Sequence, residues 1–161
     1  MDTLATLTTR DPAMPEIRLA MPDDLPALHA MIGALATQRG DAATISPETL
    51  DRIALRGAGV RVLVAGPAGA AVGYALLLLR HDMLTGRASY EVNQLFVRPE
   101  HRLRGIGRAL VDAARELAEG EGRSHLSIPT RAADLEAAVA YRAMRLAEQP
   151  QAGPRFRVEI G

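Results

Sequence analysis

Short alternating stretches and longer amphipathic stretches follow one another along this chain, which predicts strands interleaved with helices. Alternation or a compact apolar run predicts strands at Glu16–Ala20, Arg61–Ala65, Ala70–Leu79, Tyr90–Val97, His125–Ile128 and Arg155–Ile160. Helical spacing and capping signals predict helices from Leu25 to before Gly40, from Ser46 to Gly57, over Ile106–Ala118 and over about Ala132–Met144. This order predicts one α/β domain whose mixed sheet carries helices on both faces.

The most regular part of the pattern is Tyr90–Gly120, which reads as a strand, a basic loop and an amphipathic helix. Within the strand, alternation places Val92 and Phe96 on one face and Glu91 and Leu95 on the other. After an Arg-Pro break, leucines and alanines recur at helical spacing and form one apolar stripe.

The loop between this strand and this helix is rich in arginine and glycine. It consists of Arg102, Leu103, Arg104, Gly105, Ile106, Gly107 and Arg108. A glycine-rich loop that opens a helix aims unpaired backbone N–H groups and the positive end of the helix dipole at one point. We therefore predict an anion site for a phosphate group. The alternative is a tight strand-to-helix turn whose arginines are simply solvated.

The composition of the chain excludes several kinds of catalytic and binding site. The chain has 161 residues, a formal net charge of +0 and no cysteine, and all 19 of its basic residues are arginine. The absence of cysteine excludes thiolate nucleophiles and cysteine–zinc sites, and the absence of lysine excludes a Walker-type phosphate loop and Schiff-base chemistry. A balanced charge favours neither nucleic acid nor a membrane surface as partner.

The chain offers no division into several domains. Residues 1–15 are polar and are predicted to be a flexible leader, and residues 16–161 are predicted to be the folded domain. The longest apolar run, Val72–Leu79, has the length of a buried strand rather than of a membrane span. The first residues lack the pattern of a secretion signal, so we expect a cytoplasmic protein.

The order of elements and three motifs together resemble the GCN5-related N-acetyltransferase (GNAT) family. The motifs are the strand Val92–Val97, the loop Arg102-Leu-Arg-Gly-Ile-Gly107 and the helical segment Asp134–Tyr141. The resemblance covers Glu16–Ile160. It implies a mixed, mostly antiparallel sheet of the acyl-CoA N-acyltransferase type, an acetyl-CoA cosubstrate and no metal.

The resemblance also implies where the cofactor would bind. Backbone groups of Leu95, Phe96 and Val97 would pair with the pantetheine arm, because this strand splays from its neighbour in the family. The pyrophosphate would lie on the backbone amides of Arg102–Arg108. Asp134 stands where the family often has asparagine, so a cofactor contact is expected there with an acceptor instead of a donor.

Two residues are implied for the chemistry, which would be direct transfer to an amine. Tyr141 would protonate the departing thiolate, and Glu91 would act as general base, although an ordered water could replace it. Asp82 could also contact the amine. The four histidines lack metal-ligand spacing and are expected to be surface or loop residues.

The acceptor stays open at this stage: a small-molecule amine and a peptide or protein amine are both allowed, and so is a homodimer. The alternative function is a non-catalytic acyl-CoA-binding or regulatory module with the same fold.

Overall fold

A computed structural model of the chain describes residues 14–131, 134–150 and 153–161. The predicted leader lies almost wholly outside the described residues. The chain divides into two compact units, one that ends at Pro129 and one that runs from Thr130 to Gly161. In the described part of the chain, no helix is long and apolar enough to cross a membrane.

The first unit contains the whole sheet and three of the helices. Its strands are β1 (Ile17–Leu19), β2 (Val60–Ala65), β3 (Gly73–Asp82), β4 (Arg87–Val97) and β5 (Leu126–Ser127). Its helices are α1 (Leu25–Gln38), α2 (Pro47–Arg56) and α3 (Ile106–Gly120), with short 3-10 turns at Pro22–Asp24 and Pro99–His101. Helix α4 (Leu135–Ala143) belongs to the second unit.

The five strands form one sheet in the order β1-β2-β3-β4-β5. Each of the first three pairs is antiparallel, and β4 and β5, which α3 connects, are parallel. The predicted fold class, a mixed and mostly antiparallel sheet with helices on both faces, is confirmed.

The two faces of the sheet carry separate hydrophobic cores. On one face, α1 and α2 cover a core of Leu28, Met31, Leu35, Leu50, Val62, Val64, Tyr74, Leu76 and Phe96. On the other face, α3 covers a core of Leu63, Ala75, Leu77, Tyr90, Val92, Ile106, Leu110, Ala114 and Ala118. Alternate residues of β2 and β3 supply the two cores, as a sheet buried on both sides requires.

The predicted helix starts are largely as the local sequence indicated. The Ser46 hydroxyl caps α2 by accepting from the Thr49 N–H at 3.1 Å, and Pro47 occupies the first helical position. Gly105 precedes α3 with φ of 82°, a left-handed conformation that glycine adopts without steric cost.

The predicted faces of β4 are wrong beyond its middle. Leu77 pairs with Val92 but Leu76 pairs with Gln94, so Asn93 is an extra residue, a β-bulge. A shift of one residue moves every later side chain to the opposite face. Val92 therefore packs in the α3 core and Phe96 in the α1/α2 core.

The predicted last strand, Arg155–Ile160, does not form. Phe156, Val158 and Ile160 alternate with charged residues, yet residues 153–161 have no regular secondary structure and these apolar side chains are exposed. Alternation makes a strand only when a neighbour completes the ladder of hydrogen bonds, and the described part of the chain supplies none.

A buried ion pair joins β1 to the start of α1. Asp24 is fully buried, and its carboxylate accepts from Arg18 at 2.7 and 2.9 Å. The N–H groups of Met21 and Gly69 donate to the same carboxylate at 2.8 and 3.3 Å. The hydrogen bonds from Arg18 hold the pKa of Asp24 below its ordinary value, although burial acts in the opposite direction.

We predict that Asp24→Asn lowers the free energy of unfolding by about 3 kcal/mol, because it leaves Arg18 without its buried partner. The melting temperature should fall by about 8 °C near neutral pH. Asp23, the exposed neighbour of Asp24, provides the control, and Asp23→Asn should lower the melting temperature by much less.

The same measurement has a pH dependence. A carboxylate whose pKa is lowered by folding stabilises the protein above its ordinary pKa of about 3.9 and loses that effect as the pH falls through its folded pKa. The gap between wild type and Asp24→Asn should therefore be constant at neutral pH and shrink in acid. A gap that widens in acid would contradict this role of Asp24.

Candidate functional site

The edge of β4 that faces β5 is open over the second half of the strand. The parallel ladder consists of Tyr90 with Leu126 and Glu91 with Ser127, and no described strand continues it. On the other edge, β3 pairs with β4 as far as Val97. The two strands β4 and β5 therefore part after Glu91.

The backbone of Leu95 and Val97 points toward this open edge. The Arg98 N–H donates to the Val72 carbonyl at 2.8 Å, on the β3 side. In an antiparallel ladder, residues that bond to the partner alternate with residues whose N–H and C=O point away from it. Leu95 and Val97 belong to the second set, and Phe96 to the first.

A row of free backbone N–H groups lies further along the chain, at the end of the loop and in the first turn of α3. The N–H groups of residues 104–108 donate to no group among the described residues, because α3 makes its first bond from the Ala109 N–H to the Gly105 carbonyl at 3.0 Å. At Gly107 an added Cβ would meet nothing within 4 Å. The start of α3 is therefore accessible and carries the positive end of the helix dipole.

The three arginines of the loop differ in role. Arg102 donates from Nε to the Val97 carbonyl at 2.8 Å and from Nη2 to the Gln38 side chain at 2.7 Å. Its guanidinium also lies 5.4 Å from the centre of the Phe96 ring. Arg102 thus ties the loop to β4 and α1. Its guanidinium is already engaged in hydrogen bonds to other residues of the protein.

The other two arginines of the loop are exposed. Arg108 approaches Asp112 of the same helix at 3.9 Å. Arg104 has no ion-pair or hydrogen-bond partner among the residues that the structure describes. Of the three cations, Arg104 is therefore the most available to an anion at the start of α3.

Glu91 is an anion held by a cation on the neighbouring strand. Its carboxylate accepts from Arg80 at 2.9 Å. Because of the bulge at Asn93, Glu91 projects from the same face of the sheet as Gln94, the α1/α2 face. The sequence had paired Glu91 with Leu95, which lies on the opposite face.

Asp82 has a structural task at the tip of the β3–β4 hairpin. Its carboxylate accepts from the Leu84 N–H at 2.9 Å and from the Thr85 hydroxyl at 2.8 Å. The hydrogen bond from Thr85 lowers the pKa of Asp82. The carboxylate thus shapes the turn.

The described histidines show no metal centre. His29 donates from Nε2 to the Ile45 carbonyl at 2.8 Å, which fixes the connection between α1 and α2. His125 contacts the Ser124 hydroxyl at 3.0 Å. No three His, Asp or Glu side chains within the described ranges are placed to hold a metal ion.

The second unit contains the two remaining predicted residues. Tyr141 is half-buried in the last turns of α4. Asp134 caps the same helix, because its carboxylate accepts from the Ala137 N–H at 3.1 Å. A role for either residue toward a cofactor stays a prediction.

Between α1, α2, their connection and the sheet lies a cavity of about 370 Å³, and sequence reasoning gave no role to Gln94 in its lining. Gln94 is one of its lining residues, and its side chain accepts from the hydroxyl of the fully buried Tyr74 at 2.8 Å. Burial raises the pKa of Tyr74, so its hydroxyl keeps its proton. A tyrosine within an apolar strand indicates a buried hydroxyl that needs a partner. The sequence analysis did not assign Gln94 to either face of β4, so it did not identify Gln94 as that partner.

Comparison with known proteins identifies relatives among acetyltransferases. A model described as "Acetyltransferase (GNAT) family" matches residues 28–144. An aminoglycoside N(6')-acetyltransferase type 1 from Stenotrophomonas maltophilia is 34% identical over 88 residues, which are 53% of this chain and 58% of that protein. The match thus spans little more than half the length of that relative.

Solved structures share the fold. An aminoglycoside acetyltransferase from an uncultured soil metagenomic sample aligns with a TM-score of 0.78 at 18% identity, over 89% of this chain and 96% of that chain. A ribosomal-protein-alanine N-acetyltransferase from Brucella melitensis biovar Abortus aligns with a TM-score of 0.71 at 21% identity, over 89% and 99%. At these identities the likeness is one of fold.

We predict that Arg102→Ala destabilises the protein, because it breaks two hydrogen bonds that hold the loop on β4 and α1. The loss should be about 1–2 kcal/mol in the free energy of unfolding. Arg104→Ala, which breaks no contact with the described residues, is the matched control and should leave the melting temperature unchanged. Equal losses in denaturant titrations of the two variants would contradict this division of roles.

Proposed function

This chain belongs to the acetyltransferase (GNAT) family, and on that premise we propose that it transfers an acetyl group from acetyl-CoA to a primary amine. The observation that carries the proposal is the continuity of two backbone features. The open edge of β4 at Leu95 and Val97 leads, in one stretch of chain, to the free N–H row at the start of α3.

These features fit acetyl-CoA by their chemistry. A pyrophosphate is an anion that backbone N–H groups at a helix start bind well, and residues 104–108 supply such groups together with the Arg104 guanidinium. A pantetheine arm carries amide groups, and the outward N–H and C=O groups of Leu95 can pair with amides as a strand would. The thioester of acetyl-CoA would supply the acetyl group.

The energetics favour direct transfer to the amine. At neutral pH only about one alkylammonium in a thousand is deprotonated, so its activation costs roughly 4 kcal/mol. A carboxylate that accepts the proton therefore helps, and we assign this role to Glu91. Its pair with Arg80 holds the carboxylate in one orientation on the α1/α2 face of the sheet.

The departing thiolate needs less assistance, because an ordinary thiol has a pKa of about 8.5. We assign its protonation to Tyr141, whose phenol can donate a proton. Most of the rate would come from holding amine and thioester together, since correct orientation of two bound reactants can lower the activation barrier by about 7 kcal/mol or more.

The named activities of the relatives are consistent with an amine acceptor. The curated relative is named for acetylation of aminoglycosides, and one solved neighbour is named for acetylation of alanine in ribosomal proteins. We therefore propose a small-molecule or peptide amine as acceptor. A cytoplasmic location and a homodimer stay predictions.

The test is release of free CoA thiol from acetyl-CoA in the presence of a panel of primary amines. Thiol should appear only when a suitable amine is present, and acetyl-CoA should raise the melting temperature. Arg104→Ala should raise the KM for acetyl-CoA about tenfold, as expected for loss of a charge-assisted hydrogen bond. Arg115→Ala, which removes an exposed arginine within α3, should leave this KM unchanged.

Two results would count against the proposal. If acetyl-CoA stabilises the protein but no amine releases thiol, the chain is a binding module. If acetyl-CoA has no effect on melting, the assignment of the cofactor site is wrong.

We predict a lower kcat for two variants and a pH-dependent deficit for one of them. Tyr141→Phe should lower kcat about tenfold at neutral pH with unchanged affinity for CoA. Glu91→Gln should lower kcat at least tenfold at neutral pH, and the deficit should shrink as the pH approaches the amine pKa near 10.4, where little deprotonation remains to be done. Glu119→Gln, an exposed glutamate of α3, is the control. A pH-independent deficit in Glu91→Gln would refute its role as base.

A further inference from the structure

The cavity beside α1 and α2 has a distinct chemical character. Most of its lining is apolar, contributed by α1, α2, Leu76 of β3 and the connection that follows Arg39. Its polar lining groups are Arg39, Asp41, Thr44 and Gln94. The connection is fixed in place by the hydrogen bond from His29 to the Ile45 carbonyl at 2.8 Å.

Among the polar groups of the lining, Gln94 has its side-chain orientation fixed by a hydrogen bond from the protein core. The Tyr74 hydroxyl is fully buried and donates to Gln94 Oε1 at 2.8 Å. Gln94 Nε2 has no partner among the described residues. Because a side-chain amide is planar, anchoring the oxygen leaves two N–H donors of Gln94 for the cavity.

The β-bulge puts these donors on the same face as the proposed base. Gln94 pairs with Leu76, and Glu91 pairs with Leu78, two residues further along β3. Without the extra residue Asn93, Glu91 and Gln94 would lie on opposite faces. An amine that reached Glu91 from the α1/α2 side would therefore have the Gln94 amide beside it.

We infer that the acceptor is an amine with an apolar side chain and a carbonyl or carboxylate oxygen next to the amino group, as in an apolar amino acid, free or at the start of a peptide. The oxygen would accept from Gln94 Nε2, and the side chain would pack on the apolar wall. This inference rests on the proposed acetyl transfer.

A polycationic acceptor fits this cavity less well. Several ammonium groups need several carboxylates or carbonyl oxygens, whereas the lining that the structure describes has one carboxylate, Asp41, together with the guanidinium of Arg39 and the donors of Gln94. An apolar wall also gives no compensation for the desolvation of extra charges. The class of substrate is thus set by what surrounds the amine.

The test compares acceptors in the thiol-release assay with acetyl-CoA. L-leucine, L-leucinamide and leucylglycine represent the expected class, and spermidine and an aminoglycoside represent polycations. At least one leucine compound should have a kcat/KM tenfold or more above both polycations. Comparing L-leucine with L-leucinamide and leucylglycine shows whether the acceptor is a free amino acid or the start of a peptide.

Two substitutions test Gln94 itself. Gln94→Glu replaces the donors by an anion and should raise the KM for the leucine acceptor about tenfold to hundredfold, with a smaller effect on kcat. Gln94→Met removes the donors at similar volume and should raise the KM about tenfold. Gln149→Glu, an exposed glutamine outside the cavity lining, controls for the added charge, and all variants should keep the wild-type KM for acetyl-CoA.

The outcomes separate the two claims. Preference for polycations, or a Gln94→Glu variant with unchanged or improved KM for the leucine acceptor, would overturn this inference and leave acetyl transfer standing. Thiol release with none of these amines or of the wider panel would overturn the proposed function and this inference with it.

Discussion

One inserted residue in the sheet decides what each face of β4 presents. Asn93 bulges from β4 where the strand passes from its ladder with β5 to its open edge. Before the bulge, Val92 faces the α3 core, and after it, Phe96 faces the α1/α2 core. The same shift places Glu91 and Gln94 on one face, and Gln94 lines the cavity. A bulge also bends its strand, which suits a place where two strands part.

Backbone groups rather than side chains form the most clearly defined part of the site. The outward N–H and C=O groups of Leu95 and the free N–H groups of residues 104–108 come from adjacent parts of the chain. Arg102, the first arginine of the loop motif, is bound to Val97 and Gln38 and stabilises this backbone arrangement. A loop held in this way presents its amides with little reorganisation when an anion arrives.

Arginine performs several structural tasks in this lysine-free chain. Arg18 neutralises the buried Asp24, and Arg61 donates to Glu121 at 3.0 Å, linking β2 to the end of α3. The Tyr90 hydroxyl donates to the same Glu121. These contacts join elements far apart in sequence and fix the first half of β4 against its neighbours. A planar guanidinium with several donors suits such multiple contacts.

The sequence by itself determined the helices, most of the strands and the loop between β4 and α3, because periodicity, caps and glycines act within a few residues. Ser46 and Gly105 are local signals of this kind, and the structure uses both at helix starts. The tertiary structure decided the register of β4, the partners of Arg102 and Asp24 and the hydrogen bond from Tyr74 to Gln94. It also decided that Arg155–Ile160, despite its alternation, is no strand. All of these depend on contacts between distant segments, and a bulge or a missing neighbour leaves no periodic trace in the sequence.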